Sequence, residues 1–432
     1  MNIVPAYSIP NPLRWRRVVL NYASRVRAFR RNARLYLLNV VIIGAAMGVF
    51  RLLFNFYILS LGFDEAMLGS LITTSSMTAL IAALPMGYLA DLLGRKRSLL
   101  LSGGLTSLSI ATMVIWPEQV VLYAMNVVSG LAQSLGAVTM APFLMENSGE
   151  EERTYLFSLS SGLQMAMASV GNWIGGYLPT WIGLVRGVPL TSSPAYAGAL
   201  FVVAGATASG LLPLAFLRLP RLQSAERSIF APLSYASQQP ALLGKLILPM
   251  LLTSIGAGLI MPFMNVFFRQ VHGKPDPAIG SLFAWGSLAM GIGLLIAPPL
   301  ADRMGKIQLV VISQALSIPF LILLGFSPIY WLSAGAYYIR LALMNMSSPV
   351  YQTFVMEHVE SSARATVASL VSMAWNFGWA FSPTISGYLQ VRYGFGPPFI
   401  GTIVLYTISI FLYWAFFWNG HLEQAHLPVS GD

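Results

Sequence analysis

The sequence predicts an all-α membrane protein with twelve transmembrane helices in two similar six-helix bundles. Three observations carry that prediction: long apolar runs, a one-sided distribution of cations, and a repeat at about half the chain length. Of 432 residues, 56% are hydrophobic and 9% charged, whereas soluble domains carry about 25% charged residues. About 20 apolar residues cross a bilayer core. Twelve stretches reach that length: 36–60, 66–90, 97–116, 119–144, 154–180, 194–217, 242–268, 278–300, 307–326, 330–354, 364–390 and 396–418. Lipid offers no partner to a stray backbone N–H or C=O, so these runs are helices. The alternating pattern of a membrane barrel is absent.

The net charge of +10 raises the possibility of nucleic-acid binding, but the placement of the cations argues against it. An amino terminus on the inside puts 19 of the 25 Lys and Arg in tails and loops of one face. Arg186, Arg269, Lys274 and Arg392 fall on the other face, and Arg51 and Arg340 fall within helices. This is the positive-inside pattern, and it predicts both termini in the cytoplasm of a bacterial inner-membrane protein. With no cysteine, thiolate metal sites and disulfides are excluded. The first apolar run is too long for a cleaved signal and lacks a small-residue cleavage site.

Taken in order, residues 1–35 form a basic cytoplasmic segment with Arg14, Arg16, Arg17, Arg25, Arg27, Arg30, Arg31 and Arg34 and no acid. Its apolar residues recur every three to four positions, as in an amphipathic helix on an anionic leaflet; a disordered topogenic tail reads equally well. Residues 36–217 form the first bundle, 218–241 a polar cytoplasmic linker, 242–418 the second bundle and 419–432 a cytoplasmic tail. A shift of 211 residues brings Leu89-Ala90-Asp91 onto Leu300-Ala301-Asp302, Gly94 onto Gly305, Met145-Glu146 onto Met356-Glu357 and Arg153 onto Arg364. A shift of 210 brings Asn55 onto Asn265. Six helices per copy is an even number, so the copies run parallel, related by an axis along the membrane normal.

The loop Gly87-Tyr88-Leu89-Ala90-Asp91-Leu92-Leu93-Gly94-Arg95-Lys96-Arg97 resembles the loop signature of the major facilitator superfamily, with Leu92 in place of the usual base. Pro298 to Lys306 is a weaker second copy, and Glu146 to Arg153 and Glu357 to Arg364 resemble the superfamily's cytoplasmic charge network. The resemblance covers nearly the whole chain. It implies transport by alternating access, with Asp91, Arg95, Glu146, Arg153, Asp302, Lys306, Glu357 and Arg364 as a cytoplasmic gate that clasps the bundles together; a purely topogenic loop would carry the same cations. Gly171-Asn172-Trp173-Ile174-Gly175-Gly176 resembles the antiporter motif of the superfamily, with Asn172 in place of proline. Close helix packing explains those glycines as well, and the motif leans toward export.

In this family helices 1, 4, 7 and 10 line the cavity. The resemblance therefore implies a substrate site from Arg51, Asn55, Asn126, Gln133, Asn265, Tyr337 and Arg340, with Trp375 and Asn376 of helix 11. An intramembrane Arg costs at least about 2.5–3.5 kcal/mol on insertion scales, and all fifteen acids lie in tails, loops or helix ends. An anionic group on the substrate would supply the missing counter-ion, since guanidinium suits carboxylate or phosphate; snorkelling is the alternative. With no buried carboxylate on a cavity helix, coupling stays open between Glu146, Glu357 or His358, anion exchange, facilitated diffusion and sodium. The expected partners are a small-molecule substrate and membrane lipids, with no nucleic acid, cofactor or metal and a monomeric state. The competing readings are an organic-anion transporter, a multidrug-type exporter of lipophilic compounds and a non-transporting receptor or scaffold. An enzyme is not expected: HExxH, GxSxG and a Walker phosphate loop are all missing.

Overall fold

The computed structural model describes residues 29–218, 240–357, 359 and 364–418. Most of the basic amino-terminal segment, most of the linker, His358 and the tail 419–432 lie outside the described residues. Helices occupy all twelve expected positions: α1 Arg31–Ser60, α2 Glu65–Leu93, α3 Arg95–Ile115, α4 Gln119–Glu146, α5 Glu150–Arg186 and α6 Ser193–Ser209 with a short continuation Leu211–Ala215. The second set is α7 Pro240–Ile260, α8 Asp276–Met304, α9 Lys306–Phe326, α10 Tyr330–Glu357, α11 Arg364–Tyr393 and α12 Gly396–Phe417. Helix α7 breaks into a 3-10 turn, Met261–Phe263, and resumes as Met264–Gln270. Pro262 has no N–H to give the ladder, and a break there is the usual consequence.

The repeat is visible in the backbone. Gly94 ends α2 at φ +78° and Gly305 ends α8 at φ +93°, a region that favours glycine. Both belong to the sequence signature. Gly62 and Gly273 form a second such pair, also 211 residues apart, with φ of +91° and +61°.

Glycines also set the packing inside each bundle. A Cβ on Gly44 would sit 3.0 Å from the Met167 Cβ, so α1 lies directly on α5. Gly258 plays the same part between α7 and α11, where a Cβ would meet the Ser382 Cβ at 2.8 Å. The pairs α2–α4 and α8–α10 repeat the arrangement through Gly130 and Gly293. The glycines of the antiporter-like motif are packing residues as well: Gly171 and Gly175 receive α1, and Gly176 receives the start of α8.

Candidate functional site: a seam between the bundles, closed at one face

Three helix pairs make most of the contact between the bundles: α2 with α11, α5 with α8, and α1 with the continuation of α7. Their contacts sit at the end away from the basic loops. On α2, Gly69 lies against the Pro383 carbonyl of α11, and the Thr73 hydroxyl accepts the Thr384 N–H at 3.2 Å. Gly87 is eighteen residues beyond Gly69, five whole turns and about 27 Å along the same stripe, yet a Cβ there would meet nothing within 4 Å. Helices α5 and α8 repeat the pattern. Gly176 touches Gly280 and Ser169 bonds the Ala284 carbonyl at 2.9 Å, but Gly162 and Gly291 face open space. The bundles therefore meet at one face and splay apart toward the face that carries the basic loops.

Two polar clusters close the sealed end. Asn55 of α1 donates through Nδ2 to the Pro262 carbonyl at 2.6 Å and to Asn265 Oδ1 at 2.8 Å. Asn265 Nδ2 donates back to the Leu52 carbonyl at 2.8 Å. The 3-10 turn withdraws Pro262 from the α ladder, which leaves its carbonyl available to the other bundle. The repeat-related asparagines thus meet at the pseudo-twofold and bind each other. The second cluster is Arg269, Asp276, Tyr196 and Phe56. Arg269 pairs with Asp276 and donates through Nη2 to the Tyr196 hydroxyl at 2.8 Å, while its guanidinium lies 3.3 Å from the Phe56 ring centroid. The Tyr196 hydroxyl donates to Asp276 Oδ2 at 2.8 Å. Gln270 adds a bond to Glu65 at 2.5 Å.

Sequence reasoning missed this second cluster. It placed Arg269 among loop cations and Asp276 at a helix end, but only the other bundle buries the carboxylate, to 5% exposure. One signal was present in the sequence: Asp276 falls on Glu65 at the 211-residue shift.

At the splayed end the gate residues pair inside their own bundles. Arg95 binds Asp91 at 2.8 Å and Glu146 at 3.1 Å. Lys96 caps the end of the first bundle, with Nζ donating to the Ala215 and Leu217 carbonyls at 2.6 and 2.9 Å. In the second copy Lys306 pairs with Glu357. The buried Nε of Arg153 has no hydrogen-bond partner among the described residues. The expected clasp between the bundles is not seen among the described residues, because this face is open; Asp302 is exposed, and no ion pair of its carboxylate is found among the described residues. The side chain of Arg364 lies outside the described residues.

The expected substrate residues divide in the same way. Arg51 lies one turn from Asn55 on the same face of α1, about 6 Å toward the open end. It is exposed and makes no hydrogen bond or ion pair among the described residues. Asn376 of α11 is exposed two turns below Pro383, on the stripe that touches α2 higher up. The Trp375 ring is 37% exposed, and Gln133 binds Ser75 and Ser129 at 3.1 and 3.3 Å while remaining open to the seam.

Three residues do not fit the expected site. Asn126 turns into its own bundle, donating to the Leu122 carbonyl at 2.9 Å. Tyr337 is buried beneath Gly286, against Phe268 and Phe283. Arg340 is 1% exposed and binds the Tyr406 hydroxyl at 3.2 Å and Met261 Sδ at 3.6 Å. It points between α7 and α12, because the 3-10 turn brings Met261 to that side.

Two parallel six-helix bundles with a seam closed at one end define a membrane transporter. The family model described as Major Facilitator Superfamily matches residues 36–275 and 246–429. The chain belongs to the Major Facilitator Superfamily. It is 24% identical over 403 residues to multidrug resistance protein MdtG of Dickeya zeae, covering 89% of this chain and 94% of that one, and 22% identical to MdtG of Proteus mirabilis, covering 92% and 98%. Among solved structures, nucleoside transporter NupG superimposes with a TM-score of 0.73 at 15% identity, covering 92% of this chain and 100% of that one. A bacterial homolog of the human lysosomal transporter Spinster, inward-facing and unoccupied, gives 0.73 at 14% identity, covering 90% and 96%.

Proposed function

We propose that the protein is a bacterial inner-membrane exporter of amphipathic organic solutes bearing an anionic group, which it takes up through the opening on its cytoplasmic face. The positive-inside pattern assigns the basic face to the cytoplasm, so the described conformation is inward-facing. The observation that carries the substrate class is Arg51: a guanidinium exposed on the seam, one turn below the seal, with no ion pair among the described residues. Its charge lacks a partner until a ligand anion arrives, and a bidentate contact with carboxylate or phosphate suits its geometry. The exposed Trp375 and Phe377 of α11 offer apolar surface for the remainder of such a molecule.

A second reading, a multidrug-type exporter of lipophilic compounds in which Arg51 only shapes the cavity, draws support from Arg340. Its burial removes one of the two arginines expected to meet an anion. The two relatives named for multidrug resistance point the same way. The readings separate in proteoliposomes. Under the anion reading, Arg51→Gln abolishes saturable transport of amphipathic anions and leaves the folded yield unchanged. Retained anion transport in that variant, with neutral and cationic lipophiles carried equally well, would establish the second reading instead.

A further inference from the structure

We infer that Arg269 and Asp276 form a preassembled latch, and that Tyr196 and Phe56 are the socket that receives it when the outer face closes. The grouping of the residues by bundle is what points there. Arg269, at the end of α7, and Asp276, in the first turn of α8, both belong to the second bundle and are bridged by a short loop, so their ion pair needs nothing from the first bundle. Tyr196 of α6 and Phe56 of α1 belong to the first. The Tyr196 hydroxyl accepts from Arg269 and donates to Asp276, both at 2.8 Å, so one hydroxyl reads both halves of the ion pair. Phe56 presents its ring face to the guanidinium, and Phe56 and Tyr196 pack together at 6.2 Å between centroids.

This arrangement solves a physical problem of alternating access. An ion pair split between the bundles would have to be broken each time the outer face opened and desolvated again each time it closed. Here the pair stays intact and travels with the second bundle. Parting breaks two hydrogen bonds and two cation–π contacts, a reversible load. The other copy of the motif shows the contrast. Tyr406 falls on Tyr196 at a shift of 210, and it too binds an arginine, Arg340, but that pair lies inside one bundle and has no carboxylate. The socket is thus a specialisation of the inter-bundle site.

The test uses the natural absence of cysteine. Thr73→Cys places one thiol in the α2–α11 seam, reached by a membrane-impermeant maleimide from the outer side only when that face opens. Adding Tyr196→Phe keeps the ring and removes the hydroxyl. The labelling rate should rise about tenfold or more, the scale of a hydrogen bond to a charged group, with the melting temperature of the purified protein unchanged. Phe56→Leu should raise it by a smaller factor. An unchanged labelling rate in both variants overturns the latch. So does a melting temperature that falls without faster labelling, which would mark Tyr196 as a packing residue only.

Discussion

Gly280 tests whether the closed seam depends on backbone-to-backbone approach. A Cβ added there would sit 2.5 Å from the Asn172 carbonyl oxygen, 2.9 Å from the Gly176 Cα and 3.0 Å from the Gly176 nitrogen. Ordinary contact distances are about 3.5 Å or more between carbons. All three neighbours are helix backbone and cannot swing aside, so Gly280→Ala must part α5 from α8 by close to 1 Å. The penalty falls on the closed outer face alone, because the splayed state has no α5–α8 contact there. Overpacking of this size costs about 1–3 kcal/mol, which moves the equilibrium roughly 5- to 150-fold toward the outward-open form. Within α8 itself the change gains up to about 1 kcal/mol of helix propensity. Maleimide labelling of Thr73→Cys from the outer side should accelerate by that factor while the melting temperature holds. Gly258→Ala is the control. Its Cβ would meet the Ser382 Cβ at 2.8 Å inside one bundle, so it should lower the melting temperature without speeding labelling. Identical labelling in Gly280→Ala and its parent, with transport intact, would refute the close-approach reasoning.

Two further outcomes follow from buried polar groups. Arg340→Leu removes a cation that is buried against a hydroxyl and a thioether with no carboxylate, and trading such a charge for an apolar side chain is often neutral or stabilising; the melting temperature should hold or rise, and a fall of more than a few degrees would show that its bonds to Tyr406 and Met261 outweigh its desolvation. His272, in the loop after α7, stacks on Phe268 and meets Phe267 edge-on, and its buried Nε2 has no partner among the described residues. Burial and then the neighbouring Lys274 hold its pKa below the ordinary 6.5, so the folded state prefers the neutral ring. The unfolded chain takes up a proton first, and stability is lost as pH falls from 6.5 toward the lowered folded value. Thermal melts should show that loss in the parent protein and less of it in His272→Phe.

The parts of this molecule legible in the sequence are those set by local chemistry. Apolar length fixed the twelve spans, and the recurrence of Gly94 at Gly305 marked two turns that need positive φ. Asp91, Arg95 and Glu146 were legible as one cytoplasmic charge network because they recur as Asp302, Lys306 and Glu357, but that Arg95 bridges both acids came only from the packing of α2, α3 and α4. What the sequence hid depends on which helix lies next to which. Arg340 and Arg51 read alike as intramembrane cations. Only the break at Pro262, which carries Met261 toward α12, distinguishes the buried one from the exposed one. Asp276 sits in a polar stretch, His272 to Pro277, that has every mark of a solvated loop, and its burial is imposed by α5 and α6 across the seam. The family resemblance, which puts helices 1 and 7 on the cavity, implied Asn55 and Asn265 as substrate residues. They fill each other's hydrogen-bonding capacity instead, and so belong to the seal in this conformation.

The chemistry of the seal fits its task. A transporter cycles only if its two states differ by a few kcal/mol, since a larger gap would empty one of them. Each neutral hydrogen bond across the seam is worth about 0.5–1.5 kcal/mol net. The Asn55–Asn265 cluster, Ser169 and Thr73 form a handful of such bonds, and the Tyr196 hydroxyl adds two charge-assisted ones, to Arg269 and Asp276. The ion pairs stay within single bundles: Asp91, Arg95 and Glu146 pair in the first, and Arg269 and Asp276 in the second, so parting the bundles breaks no ion pair found among the described residues. The glycine contacts at Gly69, Gly176 and Gly280 contribute close approach without interlocking side chains that would resist separation. A seam of large apolar side chains would hold more strongly and open less often. One built of small residues and hydrogen bonds, its ion pairs kept within single bundles, can let go.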